Sequence, residues 1–195
     1  SRKNNIPFLG ICFGMQMAVI EFARNKLNIK NATSSEFGQS KASVVGLMSE
    51  WTKDGKLIRG TDKNLGGTMR LGNQLIRITE GTLADKIYGN VTVERHRHRY
   101  EFNNVLRDSL EKSGLVCSGI TEKESLVEII ELCTSEHPWF LGVQFHPEFN
   151  SNPREGHPLF IEFIKAGIIN SEKKLSKREV DAGPVSKGKH ETSKL

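Results

Sequence analysis

Cysteine is scarce in this chain. Only three of its 195 residues are cysteines, at positions 12, 117 and 133. Their wide spacing gives neither the close pairs of a zinc site nor the framework of a disulfide-rich secreted domain. Cys117 and Cys133 lie in strand-like apolar runs and are predicted to be core residues. No apolar run is long enough to cross a bilayer, so a membrane partner is not expected. A reducing, cytoplasmic setting is the simplest expectation.

Strong charge of one sign is also missing from most of the sequence. The formal net charge is +5, from 28 basic and 23 acidic residues. Residues 171–195 hold seven basic and four acidic residues, which leaves 21 basic and 19 acidic residues in positions 1–170. The chain is therefore not expected to bind nucleic acid. Residues 1–170 are predicted to form one domain, and the polar residues 171–195 are predicted to be a disordered tail.

The most informative segment is PFLGICFGMQ, at residues 7–16. A short apolar run, predicted as a buried strand, ends in Gly-x-Cys-x-Gly, and a helical pattern follows at once. This is the layout of a nucleophile elbow with Cys12 in place of serine, in which the flanking glycines avoid clashes. The helix N-terminus beside the thiol favours its thiolate form. The alternative interpretation is an ordinary buried cysteine.

His146 is the histidine best placed to act with that thiol. It directly follows the apolar run at residues 140–145, so it stands at a strand end, as Cys12 does. Pro147 is predicted to keep the chain extended, and Glu148, two residues on, would then project to the same side as His146. The pattern predicts a Cys12–His146–Glu148 triad, with the carboxylate orienting the imidazole. The alternative is a polar turn after a strand.

The run RHRHR, at residues 95–99, is also unusual. In an extended strand it places three arginines on one face and two histidines on the other. The arginines could bind phosphate or RNA, or clamp a substrate carboxylate, and a solvated, ion-paired strand explains the run equally well. His96 and His98 could bind zinc, but the sequence indicates no third ligand, so no metal site is predicted.

The remaining sequence alternates strand-like and helix-like segments. Strands are predicted at residues 44–47, 75–78, 91–100, 126–132 and 140–145, the last two as a hairpin. Helices are predicted at residues 83–88, 104–112 and 158–166. Residues 51–63 are predicted as a surface loop, and the glycine-rich residues 66–72 as a turn. This pattern predicts an α/β layered fold, in which helices flank a mostly parallel sheet and the site lies at the carboxyl ends of strands.

Two motifs, residues 10–16 (GICFGMQ) and 145–149 (FHPEF), resemble the signatures of class I (triad) glutamine amidotransferases, which have a flavodoxin-like layered fold. Further segments resemble the glutaminase domains of CTP synthases, in a form closer to bacterial than to animal members. These segments are residues 31–37 (NATSSEF), 66–72 (GGTMRLG), 94–101 (ERHRHRYE) and 157–160 (HPLF). The likeness extends from about residue 4 to residue 166.

This resemblance implies a specific activity. In the family the domain hydrolyses L-glutamine, and the ammonia passes through a tunnel to a synthase domain, where ATP activates UTP and CTP is formed. The resemblance implies that Cys12 forms a glutamyl thioester, that His146 is the base, and that Glu148 orients it. The residues implied to bind glutamine are Phe13, Gly14, Met15, Gln16, Glu36 and Arg99. The α-ammonium would face Glu36 and the α-carboxylate would face Arg99.

The resemblance also implies what this chain does not do alone. No cofactor is implied for the chain itself, whereas ATP, Mg²⁺ and the activator GTP are expected to act on a complete, homotetrameric enzyme. The synthase domain and the glycine-rich loop that gives a second oxyanion donor precede the nucleophile strand in the family. We therefore expect the chain to be a C-terminal fragment, truncated before that strand and poorly active or inactive by itself.

Two other functions stay open at this point. One is the glutaminase domain of another amidotransferase, of the GMP synthase or carbamoyl-phosphate synthase type, although residues 66–72 and 95–99 argue against it. The other is a non-catalytic fragment that serves in assembly or regulation. The intact Cys12, His146 and Glu148 argue against a decayed site.

Overall fold

The computed structural model of the chain describes residues 1–38, 40–47, 50–53, 56–59, 69–122 and 125–182. Its strands are β1 (Phe8–Ile11), β2 (Thr33–Ser34), β3 (Ser43–Leu47), β4 (Glu50–Lys53), β5 (Lys56–Arg59), β6 (Arg70–Ile78), β7 (Val91–His98), β8 (Tyr100–Phe102), β9 (Leu115–Thr121), β10 (Val127–Leu132) and β11 (Phe140–Val143). Its α-helices are α1 (Phe13–Lys26), α2 (Leu83–Tyr88), α3 (Arg107–Lys112) and α4 (Pro158–Ala182). Short 3₁₀ turns lie at Ser35–Phe37, Asn104–Leu106 and Pro147–Asn150.

The main sheet has six strands in the order β1-β11-β10-β9-β6-β7. Strands β1 and β11 are parallel, and the other four neighbouring pairs are antiparallel. The sheet is therefore mixed rather than mostly parallel as predicted. The reason is chain connectivity, because a parallel pair needs a crossover of a dozen or more residues. Strands β9, β10 and β11 are joined by shorter connections and pair as antiparallel neighbours, which includes the predicted β10–β11 hairpin.

Helices flank this sheet on both faces, as the predicted α/β layered class requires. One apolar cluster joins α1 to Leu110 of α3 and to side chains such as Ile130 of β10. A second cluster joins α2 and the start of α4 to side chains such as Ile129 and Leu141. Because successive residues of a strand point to opposite faces, neighbours such as Ile129 and Ile130 belong to different clusters. The two clusters are thus the two layers of the core.

Smaller sheets complete the described fold. Strands β2, β3 and β8 form a three-stranded sheet, and β4 and β5 pair as a two-stranded antiparallel ribbon. The ribbon corrects the prediction of a surface loop for residues 51–53 and 56–59, and the rest of the predicted loop at residues 51–63 lies outside the described residues. The hydrophilic composition of that segment concealed a pairing that is made by backbone hydrogen bonds. Of the predicted glycine-rich turn, residues 66–68 lie outside the described residues and residues 70–72 begin β6.

Three further predictions need adjustment. The strand predicted at residues 91–100 is interrupted by a bend at Arg99, so its last residue belongs to β8 in the smaller sheet. Cys117 is buried as predicted, but Cys133 is exposed, because it follows the end of β10. Helix α4 continues past residue 170 to Ala182, so the first part of the predicted disordered tail is helical, and residues 183–195 lie outside the described residues.

None of the described helices combines the length and the apolar content that crossing a bilayer demands.

Candidate active site

Cys12 occupies a strained turn between β1 and α1. Its φ is 49° and its ψ is −101°, a conformation that is uncommon for residues other than glycine. The Cys12 N–H donates a 2.7 Å hydrogen bond to the carbonyl of Val143, the last residue of β11. A β-carbon at Gly10 would lie 2.7 Å from the Gly14 carbonyl carbon, so glycine is required where α1 crosses β1. The geometry is that of the predicted nucleophile elbow.

The second glycine of the motif has a different environment. A β-carbon at Gly14 would meet no heavy atom within 4 Å. Gly14 instead faces a cleft of about 520 Å³ beside β1, which Phe8 and Met17 also line. The prediction that both glycines relieve a clash is therefore correct for Gly10 and wrong for Gly14.

The thiol of Cys12 experiences opposing influences. Burial raises its pKa above the ordinary value and is the largest effect, and the charges of Glu148 and Glu101 act in the same direction. The backbone N–H of Phe13 and the side-chain amide of Gln144 lower the pKa by donating hydrogen bonds to sulfur. The helix N-terminus thus stabilises the thiolate as predicted, but burial raises the pKa by more than the helix lowers it. A neighbouring base is needed to take the proton.

His146 and Glu148 form the pair that the sequence predicts. The Nδ1 atom of His146 lies 2.6 Å from Oε1 of Glu148. The predicted extended chain does not cause their proximity, because Pro147 begins the 3₁₀ turn Pro147–Asn150. The turn folds the carboxylate back toward the imidazole. With Nδ1 engaged, Nε2 is the ring nitrogen available to a third group.

Parallel strands bring Cys12 and His146 to one edge of the sheet. Strands β1 and β11 pair with Ile11 opposite Val143, so the chain leaves both strands at the same end. Cys12 follows β1 directly and His146 follows β11 after two residues. The sequence prediction that both residues stand at strand ends is confirmed.

The segment that carries His146 is fixed to strand β7. The His146 N–H donates to the Arg95 carbonyl at 2.9 Å, and the Asn150 side chain donates to the Glu94 carboxylate at 2.9 Å. Glu94 is buried and also lies 2.9 Å from Nε2 of His157, at the start of α4. These contacts hold both ends of the turn that presents Glu148.

Two of the predicted substrate residues face solvent near the elbow. Phe13 is half exposed, and its ring meets the ring of Phe37 edge to face at 6.1 Å between centroids. Glu36 lies in the 3₁₀ turn Ser35–Phe37, and its N–H donates a 3.2 Å hydrogen bond to the Ser34 hydroxyl, which caps the turn. The Phe13–Phe37 contact therefore places the turn that carries the exposed Glu36 beside the start of α1.

Arg99 has an unsatisfied donor. It stands at the bend between β7 and β8, and its Nε is buried without a hydrogen-bond partner among the described residues. A buried N–H that lacks a partner is costly, so such groups in a site are commonly completed by a ligand. The bend removes Arg99 from the solvent-facing row of the strand, where Arg95 and Arg97 are exposed.

Two other predicted substrate residues have buried side chains. Met15 is 1% exposed and belongs to the core cluster that contains α1. Gln16 is 4% exposed, and its amide donates to the Tyr100 carbonyl at 3.0 Å and to the Gln144 side chain at 3.2 Å. Neither side chain is free to meet a substrate, although the backbone of this helical turn remains close to Cys12.

Sequence reasoning missed Gln144, which is fully buried and donates from Nε2 to the Cys12 sulfur at 3.5 Å. One signal could have found it. A polar residue inside the apolar run FLGVQF is unusual, because buried glutamine requires hydrogen-bond partners.

The histidines of the RHRHR run are joined by a third group that the sequence did not indicate. Glu128 of β10 lies 3.5 Å from Nδ1 of His96, and that nitrogen lies 2.9 Å from Nε2 of His98. Nitrogen ligands of tetrahedral zinc lie about 3.3 Å apart, since each Zn–N bond is about 2.0–2.1 Å. The 2.9 Å separation is that of a hydrogen bond. We interpret the two imidazoles as a hydrogen-bonded pair in the core.

Comparison with known proteins agrees with this geometry. A profile of the glutamine amidotransferase class-I family matches residues 1–166. The chain belongs to this family, as its motifs predicted. It is 59% identical over 167 residues to the CTP synthase of Pelagibacter ubique (strain HTCC1062), in an alignment that covers 85% of this chain and 31% of that protein. The chain therefore spans about a third of the length of this curated relative.

A solved structure shows the same similarity. The glutaminase domain of Trypanosoma brucei CTPS, with bound acivicin, is similar to this chain at a TM-score of 0.73 and 38% sequence identity. The match covers 86% of this chain and 62% of that chain. The class I glutamine amidotransferase fold, with a mixed sheet between helices, is thereby confirmed.

Proposed function

We propose that this chain is the glutaminase part of a CTP synthase. It hydrolyses L-glutamine and supplies ammonia for the ATP-dependent amination of UTP to CTP. The observation that carries the proposal is the placement of Cys12, on a strained elbow, at the same sheet edge as the 2.6 Å His146–Glu148 pair. The 59% identity to a CTP synthase supports this amidotransferase over those of the GMP or carbamoyl-phosphate synthase type.

The triad performs the hydrolysis in two halves. Nε2 of His146 takes the thiol proton while the Cys12 sulfur attacks the side-chain amide carbon of glutamine. The imidazolium then returns that proton to the leaving nitrogen, and ammonia departs from a glutamyl thioester. In the second half, water attacks the thioester while His146 accepts its proton. The C–S bond then breaks, glutamate leaves, and the imidazolium returns the proton to the Cys12 sulfur. Glu148 stabilises the imidazolium in both halves.

The Phe13 N–H is suited to the developing oxyanion. It follows the nucleophile directly and already donates toward the sulfur. A backbone donor aimed at the reacting carbon costs no reorganisation when negative charge appears on the oxygen. The same N–H therefore serves the thiolate first and the tetrahedral intermediate next.

The two charged ends of glutamine determine its binding. The exposed Glu36 carboxylate binds the α-ammonium, and the Arg99 guanidinium binds the α-carboxylate and satisfies its buried Nε. The half-exposed Phe13 ring, which contacts Phe37, offers an apolar surface to the methylene groups of glutamine. Of residues 13–16, Met15 and Gln16 contribute through their backbone alone. We expect acivicin, which is bound in the Trypanosoma brucei relative, to occupy this site as well.

Other properties follow from the likeness to CTP synthases and stay predictions. The complete enzyme is expected to use ATP and Mg²⁺, to be activated by GTP, to be a homotetramer, and to act in the cytoplasm.

The proposal is tested on the polypeptide that carries this chain, with UTP and ATP present and with either glutamine or ammonium as nitrogen source. We expect Cys12→Ala to lower glutamine-dependent CTP formation by at least about a thousandfold, because the nucleophile is removed. Ammonium-dependent formation is retained. The matched control is Cys133→Ala, which removes an exposed thiol and changes neither rate. Undiminished glutamine-dependent synthesis by Cys12→Ala would refute the proposal.

A further inference from the structure

A chain of buried amides leads to the nucleophile. Gln144 lies between β11 and His146 and has no exposed surface. Its Nε2 lies 3.5 Å from the Cys12 sulfur, and its Oε1 accepts a 3.2 Å hydrogen bond from Nε2 of Gln16. Gln16 donates from the same nitrogen to the Tyr100 carbonyl at 3.0 Å. Three elements, β8, α1 and the end of β11, are thus connected to the sulfur by hydrogen bonds.

The backbone carbonyl at one end fixes the direction of every bond in this chain. A carbonyl oxygen can only accept, so the NH₂ group of Gln16 must face Tyr100. The second hydrogen of that NH₂ group requires an acceptor, which is the oxygen of Gln144. With its oxygen bound to Gln16, the Gln144 amide presents its NH₂ group to Cys12. If the Gln144 amide rotated by half a turn, it would present an oxygen to the sulfur and an NH₂ group to another NH₂ group.

We propose that Gln144 is a positioning residue for the nucleophile, which donates to the Cys12 thiolate, and that Gln16 fixes the orientation of the Gln144 amide. The proposal rests on the proposed role of Cys12 as nucleophile. An NH₂ group at the sulfur stabilises the thiolate, because hydrogen bonds to a charged partner are stronger than those to a neutral one. It also opposes the effect of burial, which disfavours the charged form.

A purely structural role makes a different prediction. If the two amides only satisfy each other in the core, replacing them changes the stability of the fold and leaves the titration of the thiol unchanged. The pH dependence of Cys12 alkylation separates the two cases and requires no glutaminase turnover. The alkylation rate of Cys12 can be measured even if the chain is not a glutaminase. Failure of the proposed function and failure of this proposal can therefore be distinguished.

The experiment measures the rate of iodoacetamide alkylation of the Cys12 peptide against pH, by mass spectrometry of the polypeptide that carries this chain. Gln144→Met keeps the length of the side chain and removes the donor. We expect the midpoint to rise by about one pH unit, so that alkylation near neutral pH slows about tenfold. Gln16→Met leaves the Gln144 amide in place but no longer fixes its orientation. We expect a smaller rise of the midpoint in this variant.

The double variant and a control complete the test. Because Gln16 acts through Gln144, the double variant should match Gln144→Met alone and should not show the sum of the two shifts. Ser118→Ala, at a fully buried polar side chain of β9, should leave the midpoint unchanged. Unchanged midpoints in Gln144→Met and Gln16→Met would overturn the proposal. If Gln144→Met does not fold, an unchanged midpoint in Gln16→Met suffices to overturn it.

Discussion

Cys12 combines an unfavourable backbone with an unfavourable environment for its charged form. A positive φ at a residue other than glycine costs about 1–3 kcal/mol, and burial raises the pKa of the thiol. The hydrogen bond from its N–H to Val143 and the tight packing of α1 on β1 hold the strained conformation. The result is a thiol at the edge of the sheet that stays mostly protonated without a base, and we propose His146 as that base.

The proposed role of the single residue Arg99 can be tested by substitution. Replacing it by methionine keeps the apolar stem and removes the charge that we propose binds the α-carboxylate. We expect the KM for glutamine to rise about 10- to 100-fold, since a hydrogen bond to a charged group contributes about 1.5–3 kcal/mol. The kcat should change much less. Steady-state glutaminase kinetics check this, and Arg97→Met, at an exposed neighbour in β7, is the matched control. Equal KM values in Arg99→Met and the control would contradict the assignment.

The sequence predicted the triad but not the residues that support it. Cys12, His146 and Glu148 stand beside short-range signals, namely the glycine motif and the end of an apolar run. Gln144, Glu94 and Glu128 act through partners that are distant in sequence, and a pattern along one chain does not reveal such partners. The His146–Glu148 contact is predicted from an extended chain, whereas a 3₁₀ turn brings the two side chains together.

At the scale of elements, the crossing of α1 over β1 determines where the nucleophile points. The helix approaches the strand so closely that only hydrogen fits at Gly10, whereas the space at Gly14 is open. Two glycines of one motif therefore differ in function. One permits the contact of the elements, and the other borders a cleft.

This difference is testable with one pair of variants. Gly10→Ala should lower the free energy of unfolding by about 1–3 kcal/mol, because its β-carbon would meet backbone atoms of α1. Gly14→Ala should raise it by about 0.4–1 kcal/mol, because alanine restricts the unfolded chain and meets nothing in the folded one. Urea denaturation of the two variants measures both values. Equal destabilisation by both would contradict the described crossing.

Element types were more predictable than element partners. The helix at residues 83–88 and the strands around residues 44–47, 75–78 and 126–132 follow from local apolar periodicity, which the structure confirms. The ribbon formed by residues 50–53 and 56–59 lacked that signal, because its segment is hydrophilic. The mixed character of the sheet depends on which strands become neighbours, and periodicity carries no information about neighbours.

Across the whole molecule, a buried polar layer accompanies the two apolar clusters. His96 and His98 are almost fully buried on β7, and Glu128 reaches them from β10. Burial lowers the pKa of His96 to about 3 and that of His98 to about 4, so both imidazoles are neutral in the folded protein. These groups link the far edge of the sheet to its middle.

Stability should therefore depend on pH in a defined range. Between the folded pKa values of about 3 and 4 and the unfolded value of 6.5, the unfolded chain binds more protons than the folded one. The free energy of unfolding consequently decreases as the pH falls from about 6.5 toward 4. Thermal unfolding across that range measures the slope. His96→Gln combined with His98→Gln should flatten it, whereas an unchanged slope would contradict the neutral buried pair.

Covalent labelling tests most directly whether Cys12 is the nucleophile that attacks glutamine. The polypeptide that carries this chain is treated with an electrophilic glutamine analogue, and the modified peptide is identified by mass spectrometry. We predict that Cys12 is labelled, that the exposed Cys133 is not, and that excess L-glutamine protects Cys12. Labelling that glutamine does not suppress, or that falls on Cys133 and spares Cys12, would contradict the assignment of Cys12 as the nucleophile.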